Sequence, residues 1–426
     1  MKLEIGYIQI RDIQFAEASE VKDGVLYVSA QELEALVLED ERLAAVSFDI
    51  ARPGESVRIT PVKDVIEPRA KVEGPGDVFP GVITKMSTVG SGKTHVLRGA
   101  AVVTVGKIVG FQEGIIDMTG LGAEYTPFSK TNNLVVNFTP KDGLTAHEYE
   151  AAARKAGLKV AYALGKLGVT VKPDESKVFD YPSVMEGIKK FPDLPRVGYI
   201  QMLQSQGLLH DTYVYGVDMK QSITTMLSPT ETMDGAIISG NCVSACDKNT
   251  TYHHQNNPVI EDLFEEHGKT INFAAMVITN ENVYLADKER SSDWTAKLVD
   301  YMDLDGVIIS QEGFGNPDTD LIMNCMKVEA VGTRTVIITN EYAGRDGSSQ
   351  SLADADPSAD ALVTAGNSNE VITLPKLDRV IGTLQFTEKI AGGWAGNIGE
   401  DGSITVEIQA ITGSTNELGF SLLSAR

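Results

Sequence analysis

The sequence predicts an α/β protein, with a β-rich N-terminal domain over residues 1–190 followed by a mostly parallel, doubly wound α/β domain over residues 197–426. Three observations carry this prediction. Short alternating apolar and polar stretches, separated by Gly, Pro and Asp clusters, dominate the first 140 residues, the pattern of half-buried strands. From Val197 onward, apolar strand-like runs alternate with helical periods, as in a sheet covered on both faces. Between them, Lys189–Arg196 with Pro192 and Pro195 reads as a linker. At about 100–200 residues per domain, two domains are the simplest division of the chain.

In the first domain, Leu3–Phe15, Gly24–Val28, Ser56–Ile66 and Gly99–Phe111 read as strands. One helix closes it: Thr145 and Glu148 form a capping box, Leu144 and Tyr149 are spaced as a staple, and Ala-rich sequence continues to about Leu167. In the second domain, Ile271–Thr279 reads as a buried strand and Asp287–Met302 as a helix whose Trp294, Leu298 and Tyr301 share one stripe. Gly306–Ser310 is the next strand. Asn316 is expected to cap a helix with Pro317 at its first position, Leu321, Cys325 and Val328 inside, and Gly332 at its end. Val336–Thr339 follows as a strand, and Cys325 is expected to be core. The phrases Asp234-Gly-Ala-Ile-Ile-Ser239 and Asp305-Gly-Val-Ile-Ile-Ser310 predict two buried strands of one sheet. Ligands bind at the carboxyl ends of such strands, which marks the polar runs Gly240–Cys246, Gln311–Gly315, Asn280–Asn282 and Asn340–Asp346.

The balance of 37 Lys+Arg against 59 Asp+Glu gives a net charge of −22, which argues against a duplex nucleic-acid binder or a basic membrane-surface protein. Three cysteines are too few, and odd in number, for a secreted disulfide framework. No signal-peptide core follows Met1 and no apolar run approaches a bilayer span, so a cytoplasmic location is expected. Ser87–Thr94 ends like a phosphate-binding loop, but Ser87 stands where that motif needs glycine, and Gly- and Val-rich strand sequence follows where a helix is required.

The chemically densest stretch is Gly240–His254, with Cys242, Cys246, Asp247, Lys248, His253 and His254. Beside an ordinary polar loop, three readings compete. Cys242, Cys246, His253 and His254 could bind a metal in a non-enzymatic scaffold subunit, although the two histidines are adjacent rather than three to five residues apart. Cys242 and Cys246 could form a redox pair, although C-x3-C is not the C-x-x-C motif. Third, the Cys242 thiol could attack the Asn241 carbonyl, Gly240 giving the backbone freedom, and form a thioester. Loss of the cysteine α-proton would then expel the preceding chain as a thioacid. The dehydroalanine left behind tautomerises and hydrolyses to a pyruvoyl ketone, an electrophile able to hold an amine as an imine.

Gly240–His254, together with Asn256–Leu263 and Gln204–Gly216, closely resembles the component B α/β-subunit proproteins of the glycine, sarcosine and betaine reductases. The resemblance runs from Leu3–Gly6 to the C-terminus. It implies cleavage between Asn241 and Cys242, giving chains 1–241 and 242–426, the second carrying a pyruvoyl group made from Cys242. It further implies an oxidoreductase subunit, active only in complex, that holds the substrate amine for reductive C–N cleavage. The implied partners are a selenocysteine-containing catalytic subunit of component B, the small selenoprotein A and the acetyl-phosphate-forming component C. For the helpers, His253 or His254 is expected to move protons and Thr250 or Thr251 to donate to the oxyanion. Lys248 and Arg345 are the candidate cations for the substrate carboxylate, and Cys246 is either a packed small residue or a second thiol. A quaternary amine cannot form an imine, so the ketone rationale suits glycine or sarcosine rather than betaine.

Overall fold

The computed structural model describes residues 1–110, 112–240 and 243–420, with the backbone of 424 and 425. Its strands and helices form an α/β fold built on three principal sheets. The N-terminal half supplies two. A four-stranded sheet runs in the order Glu175–Asp180, Lys2–Gln9, Gly92–Arg98, Arg69–Glu73. A larger sheet runs Gly114–Asp117, Val57–Ile66, Ala100–Val105, Asn132–Pro140, Leu43–Ala51, and Arg379–Gly382 from the far end of the chain adds to Val57–Ile66 in parallel.

The helix Ala146–Leu167 begins at Thr145 with the expected capping box. Its alanines, including Ala152, Ala153, Ala156 and Ala161, are buried with Ile66, Val102 and Leu134 from the strands. Two glycines let it come this close: a Cβ on Gly165 would collide with the Arg69 carbonyl, and one on Gly157 with the Thr104 methyl.

The C-terminal half is organised by a seven-stranded sheet in the order Thr225–Met226, Asn272–Glu281, Arg196–Gln204, Gly306–Ser310, Arg334–Glu341, Leu362–Asn367, Ser424–Ala425. Its inner five strands are parallel and its two short edges antiparallel. One face is covered by the helices Leu285–Tyr301 and Asn316–Ala330, whose Ala296, Val299, Leu321, Cys325 and Val328 pack on Ile200, Val277, Ile309 and Ile337. The other face packs Tyr199, Leu203, Phe273 and Met276 against the helix Pro258–Glu266 and against Leu3, Ile5, Val96 and Phe179 of the four-stranded sheet. No described helix is long and apolar enough to cross a membrane.

Four local expectations are corrected. The phrase Asp234–Ser239 does not share a sheet with Gly306–Ser310. Only Ile237–Ile238 is strand, paired with Tyr213–Val214 in a small separate sheet, because Asp234 is tied to the N-terminal half through Lys71, Gly90 and Thr94. Trp294 and Tyr301 are exposed, with Lys297 Nζ 5.5 Å from each ring centre. The face that packs inward is instead Lys288, Ser292, Thr295, Ala296 and Val299. The helix Asn316–Ala330 is capped by Gly315, at φ 81°, one residue before the expected cap. Gly240 has φ outside the left-handed region, and glycine is needed there for close approach: a Cβ would sit 2.5 Å from the Asp211 carbonyl oxygen and 2.9 Å from Arg154 Nη1. Ser87–Thr94 leads into the strand Gly92–Arg98, as the missing helix signal implies.

Candidate functional site

Asn241 and Cys242, and with them the expected cleavage point, lie outside the described residues. Their flanks are fixed. Ser239 N–H donates to Thr251 Oγ1 at 3.1 Å, and on the other side Ser244 accepts backbone N–H bonds from Asp247 and Lys248. Val243 and Ser244 border a cavity of about 310 Å³ with Gln204, Gln206, Asp247, Gly313, Phe314, Asn316 and Pro317. It opens where Arg196–Gln204 and Gly306–Ser310 end, the carboxyl edge of the parallel sheet.

Thr250 starts a short helix, Thr251–Gln255, by an unusual capping box. Its Oγ1 accepts the His253 N–H, and His253 Nδ1 accepts the Thr250 N–H at 3.1 Å, taking the part a glutamate plays in the common version. That hydrogen bond leaves the imidazole proton on Nε2. Burial, aided by neighbouring His254, holds His253 down at about 3, so it is neutral at pH 7. Its ring lies against Phe128 and Phe420.

Thr251 donates its N–H and its hydroxyl to Asp64, at 2.9 and 2.8 Å. Burial raises Asp64, and Lys248 is the main influence opposing this. Lys248 is itself buried, and its charge also favours the ionised form of Glu150. Both threonine hydroxyls therefore serve the framework around the segment. Arg345 donates Nε–H to Glu407 at 2.7 Å and stacks over Trp394. Neither Lys248 nor Arg345 lines the cavity.

His254 is completely buried, its Nδ1 3.4 Å from Gln201 Nε2 and its Nε2 3.1 Å from Glu312 Oε1. Glu312 in turn accepts from the Gln204 N–H at 2.7 Å and the Thr212 hydroxyl at 2.5 Å. Behind it, Glu281 accepts the Glu312 N–H, and Glu417 accepts from Asn249. Burial, with neighbouring carboxylates adding to it, pushes Glu281 and Glu417 well above the usual carboxylate range. Cys246 is packed rather than exposed. Its thiol donates to Asp247 at 3.0 Å and lies 3.1 Å from the Tyr342 hydroxyl, and burial raises it, so it is no ready thiolate. Cys325 is core, as expected. Among the described residues, no three His, Cys, Asp or Glu side chains are grouped to hold a metal, so the scaffold reading finds no ligand set in Cys246, His253 and His254.

Sequence reasoning missed Asp64, Glu281, Glu312, Glu417, Gln204 and Tyr342. Glu281, Glu312 and Tyr342 do lie in three of the polar runs expected at strand ends. Asp64 sits in a strand of the other half and carries no local signal.

Buried carboxyl groups, two imidazoles and a lysine thus flank the segment that holds Asn241 and Cys242 in sequence. The whole chain, residues 1–426, matches the family model for glycine/sarcosine/betaine reductase component B subunits, and it belongs to that family. It is 64% identical over its full length, and that of its relative, to glycine reductase complex component B subunits alpha and beta of Peptoclostridium acidaminophilum. To sarcosine reductase complex component B subunit alpha of the same organism it is 57% identical, again over all of both chains. A more distant relative is the D-proline reductase proprotein PrdA of Acetoanaerobium sticklandii, 22% identical over 78% of this chain and 53% of that one. No solved structure matches the chain. The protein is thus a subunit of a multicomponent amino-acid reductase.

Proposed function

We propose that this chain is a self-processing precursor, cut between Asn241 and Cys242, whose 242–426 fragment carries a pyruvoyl group and binds the substrate amine in a selenium-dependent glycine or sarcosine reductase. The observation that carries the reading is the buried proton-handling shell on both flanks of the cleavage point. Its partners would be the selenocysteine-containing catalytic subunit, selenoprotein A and the component that forms acetyl phosphate. Relatives at 64% and 63% identity bear two subunit designations, alpha and beta, on one chain of this length, as a cleaved precursor would. A cytoplasmic location agrees with this assembly.

The site fits such a group. The flank Val243–Ser244 borders a cavity large enough for a small amino acid, and Gln204 of its lining has a buried Oε1 without a described partner. When present, a pyruvoyl ketone supplies an electrophile for an amine and makes the Cα–N bond easier to break. The surrounding residues have separable tasks. Gly240, against the Asp211 carbonyl and Arg154, fixes the path of the chain into the cleavage point. His254, paired with Glu312, is the candidate base for the cysteine α-proton, because His253 has committed Nδ1 to its cap and protonates only near pH 3. Phe314, beside Val243, helps to exclude water.

A denaturing gel and a hydrazine label test the proposal. Purified wild-type protein gives two fragments, the smaller labelling at a carbonyl, and Cys242→Ala stays whole and unlabelled. A wild-type chain that stays whole and unlabelled within an active reductase contradicts it.

A further inference from the structure

Three adjacent strands of the seven-stranded sheet, Asn272–Glu281, Arg196–Gln204 and Gly306–Ser310, end side by side, with Gln204 in register with Glu281. Glu312, just past the third strand, is fully buried where these ends meet. Its backbone N–H donates to Glu281 Oε1 at 2.7 Å, and its Oε2 accepts from the Gln204 N–H at 2.7 Å and from the Thr212 hydroxyl at 2.5 Å. Gln204 and Thr212 belong to residues 1–241 and the two glutamates to 242–426, so both sides of the expected cut hold this one carboxyl group. Two donors on one oxygen mark Oε2 as an acceptor and hold the side chain in one orientation.

The other oxygen, Oε1, lies 3.1 Å from His254 Nε2. An acceptor so close repels a bare nitrogen lone pair and favours a proton on Nε2, so the lone pair of the imidazole is left on Nδ1. Gln201 agrees with this. It is fully buried, and its amide Nε2 sits 3.4 Å from Nδ1, a donor at a length that bonds weakly and leaves the lone pair basic. Glu281 supports Glu312 from behind as a neutral acid. The charged groups facing it are the carboxyls of Glu312, Asp320 and Glu417, so burial, with Glu312 first among these neighbours, keeps its proton on.

We propose that Glu312 is a positioning residue for maturation of the chain: it keeps the proton of His254 on Nε2 and so leaves Nδ1 as the basic nitrogen, while Glu281 keeps Glu312 in place through its backbone N–H. The inference rests on the role given above to His254, but the position of the proton can be read in a chain that is never cut. Both glutamates act through His254. The arrangement makes a definite prediction for one conservative change. In Glu312→Gln the amide oxygen takes the Oε2 place, to accept from Gln204 and Thr212, so the amide NH2 faces His254 Nε2. A donor there calls for the lone pair on Nε2 and moves the proton to Nδ1.

The test uses the full-length Cys242→Ala chain with its histidines labelled in nitrogen-15, and long-range proton–nitrogen NMR at neutral pH, which shows which ring nitrogen carries the proton. The chain has six histidines, and the signal lost when His254→Gln is added is that of His254. The expected spectrum has the proton on Nε2, and Glu312→Gln moves it to Nδ1. In the chain that keeps Cys242, Glu312→Gln slows the appearance of the two fragments roughly a hundredfold. Glu281→Leu slows it roughly tenfold, and Glu281→Gln, which still offers an oxygen to the Glu312 N–H, restores it. With Glu312 in place, a proton on Nδ1 or on both nitrogens would overturn the assignment, as would an Nε2 proton that stays put, or cleavage at the wild-type rate, in Glu312→Gln. The tautomer of the Cys242→Ala chain is read without a change at Glu312 or Glu281, so it decides the matter even where those variants fold poorly. An Nε2 proton in a chain whose wild type is never cleaved would defeat the processing proposal alone, and a cleaved wild type with an Nδ1 proton would defeat this inference alone.

Discussion

At the residue scale, the site depends on polar groups that would be liabilities anywhere else in the interior. Thr251 gives two hydrogen bonds to Asp64 and receives one from Ser239, joining the N-terminal half to both sides of the cleavage segment. Thr251→Val keeps the shape but leaves Asp64 short of a donor, and a loss of about 1–3 kcal/mol in denaturant-induced unfolding is expected. His253 gives the protein an acid-sensitive element. Its folded pKa, about 3, lies below the unfolded value of 6.5, so the unfolded chain binds a proton the folded chain refuses. The associated stability is present above pH 6.5 and is lost as pH falls toward 3. Asp247 acts in the opposite sense between about 6 and the ordinary value of 3.8, since its raised carboxyl takes a proton first in the folded state. His253→Gln should therefore flatten the fall in stability between pH 6.5 and 4, measured as the difference in urea midpoint from wild type. An unchanged slope would mean that His253 titrates normally.

At the element scale, helices were legible where local chemistry sets their ends. The Thr145–Glu148 capping box and the Pro317–Gly332 bracket are written in short stretches of chain, and both helices form. The stripe Trp294–Leu298–Tyr301 misled because periodicity gives the shape of a face but not its direction. The polar Lys288 points inward to pair with Asp320, and the aromatic residues are left outside beneath Lys297. The shared phrase at Asp234 and Asp305 failed for a related reason: identical apolar cores cannot encode the distant partners that pull Asp234 to the other half. The loops at strand ends were readable as a group, since Glu312, Tyr342 and Asn340 all converge on the motif. The pairing of the motif's Thr251 with Asp64 and of its Asn249 with Glu417 was not, because nothing in the nearby sequence marks either carboxylate. Glycine contacts give a further prediction. Alanine is about 1 kcal/mol better than glycine inside a helix, yet Gly165→Ala places a Cβ against the Arg69 carbonyl, so it should destabilise by about 1–3 kcal/mol. A stabilised variant in thermal unfolding would show that the helix can move away.

At the scale of the whole molecule, the proposed cut would divide the chain but not the fold. Arg196–Gln204 belongs to the 1–241 piece, yet it lies between Asn272–Glu281 and Gly306–Ser310 of the other piece in the parallel sheet. Arg379–Gly382 of the second piece extends a sheet of the first through Val57–Ile66. The two fragments should co-elute in size exclusion after maturation and separate only in denaturant, and free fragments in native buffer would contradict that architecture. The same interleaving would hold the two pieces together once the chain is cut. The central claim is that Cys242 becomes a ketone, and its most direct measurement is the intact mass of the C-terminal fragment from an active reductase. The expected fragment begins at position 242 with a group that has lost both the cysteine sulfur and its amino nitrogen. An uncleaved chain, or a fragment whose first residue is an unmodified cysteine, would contradict it.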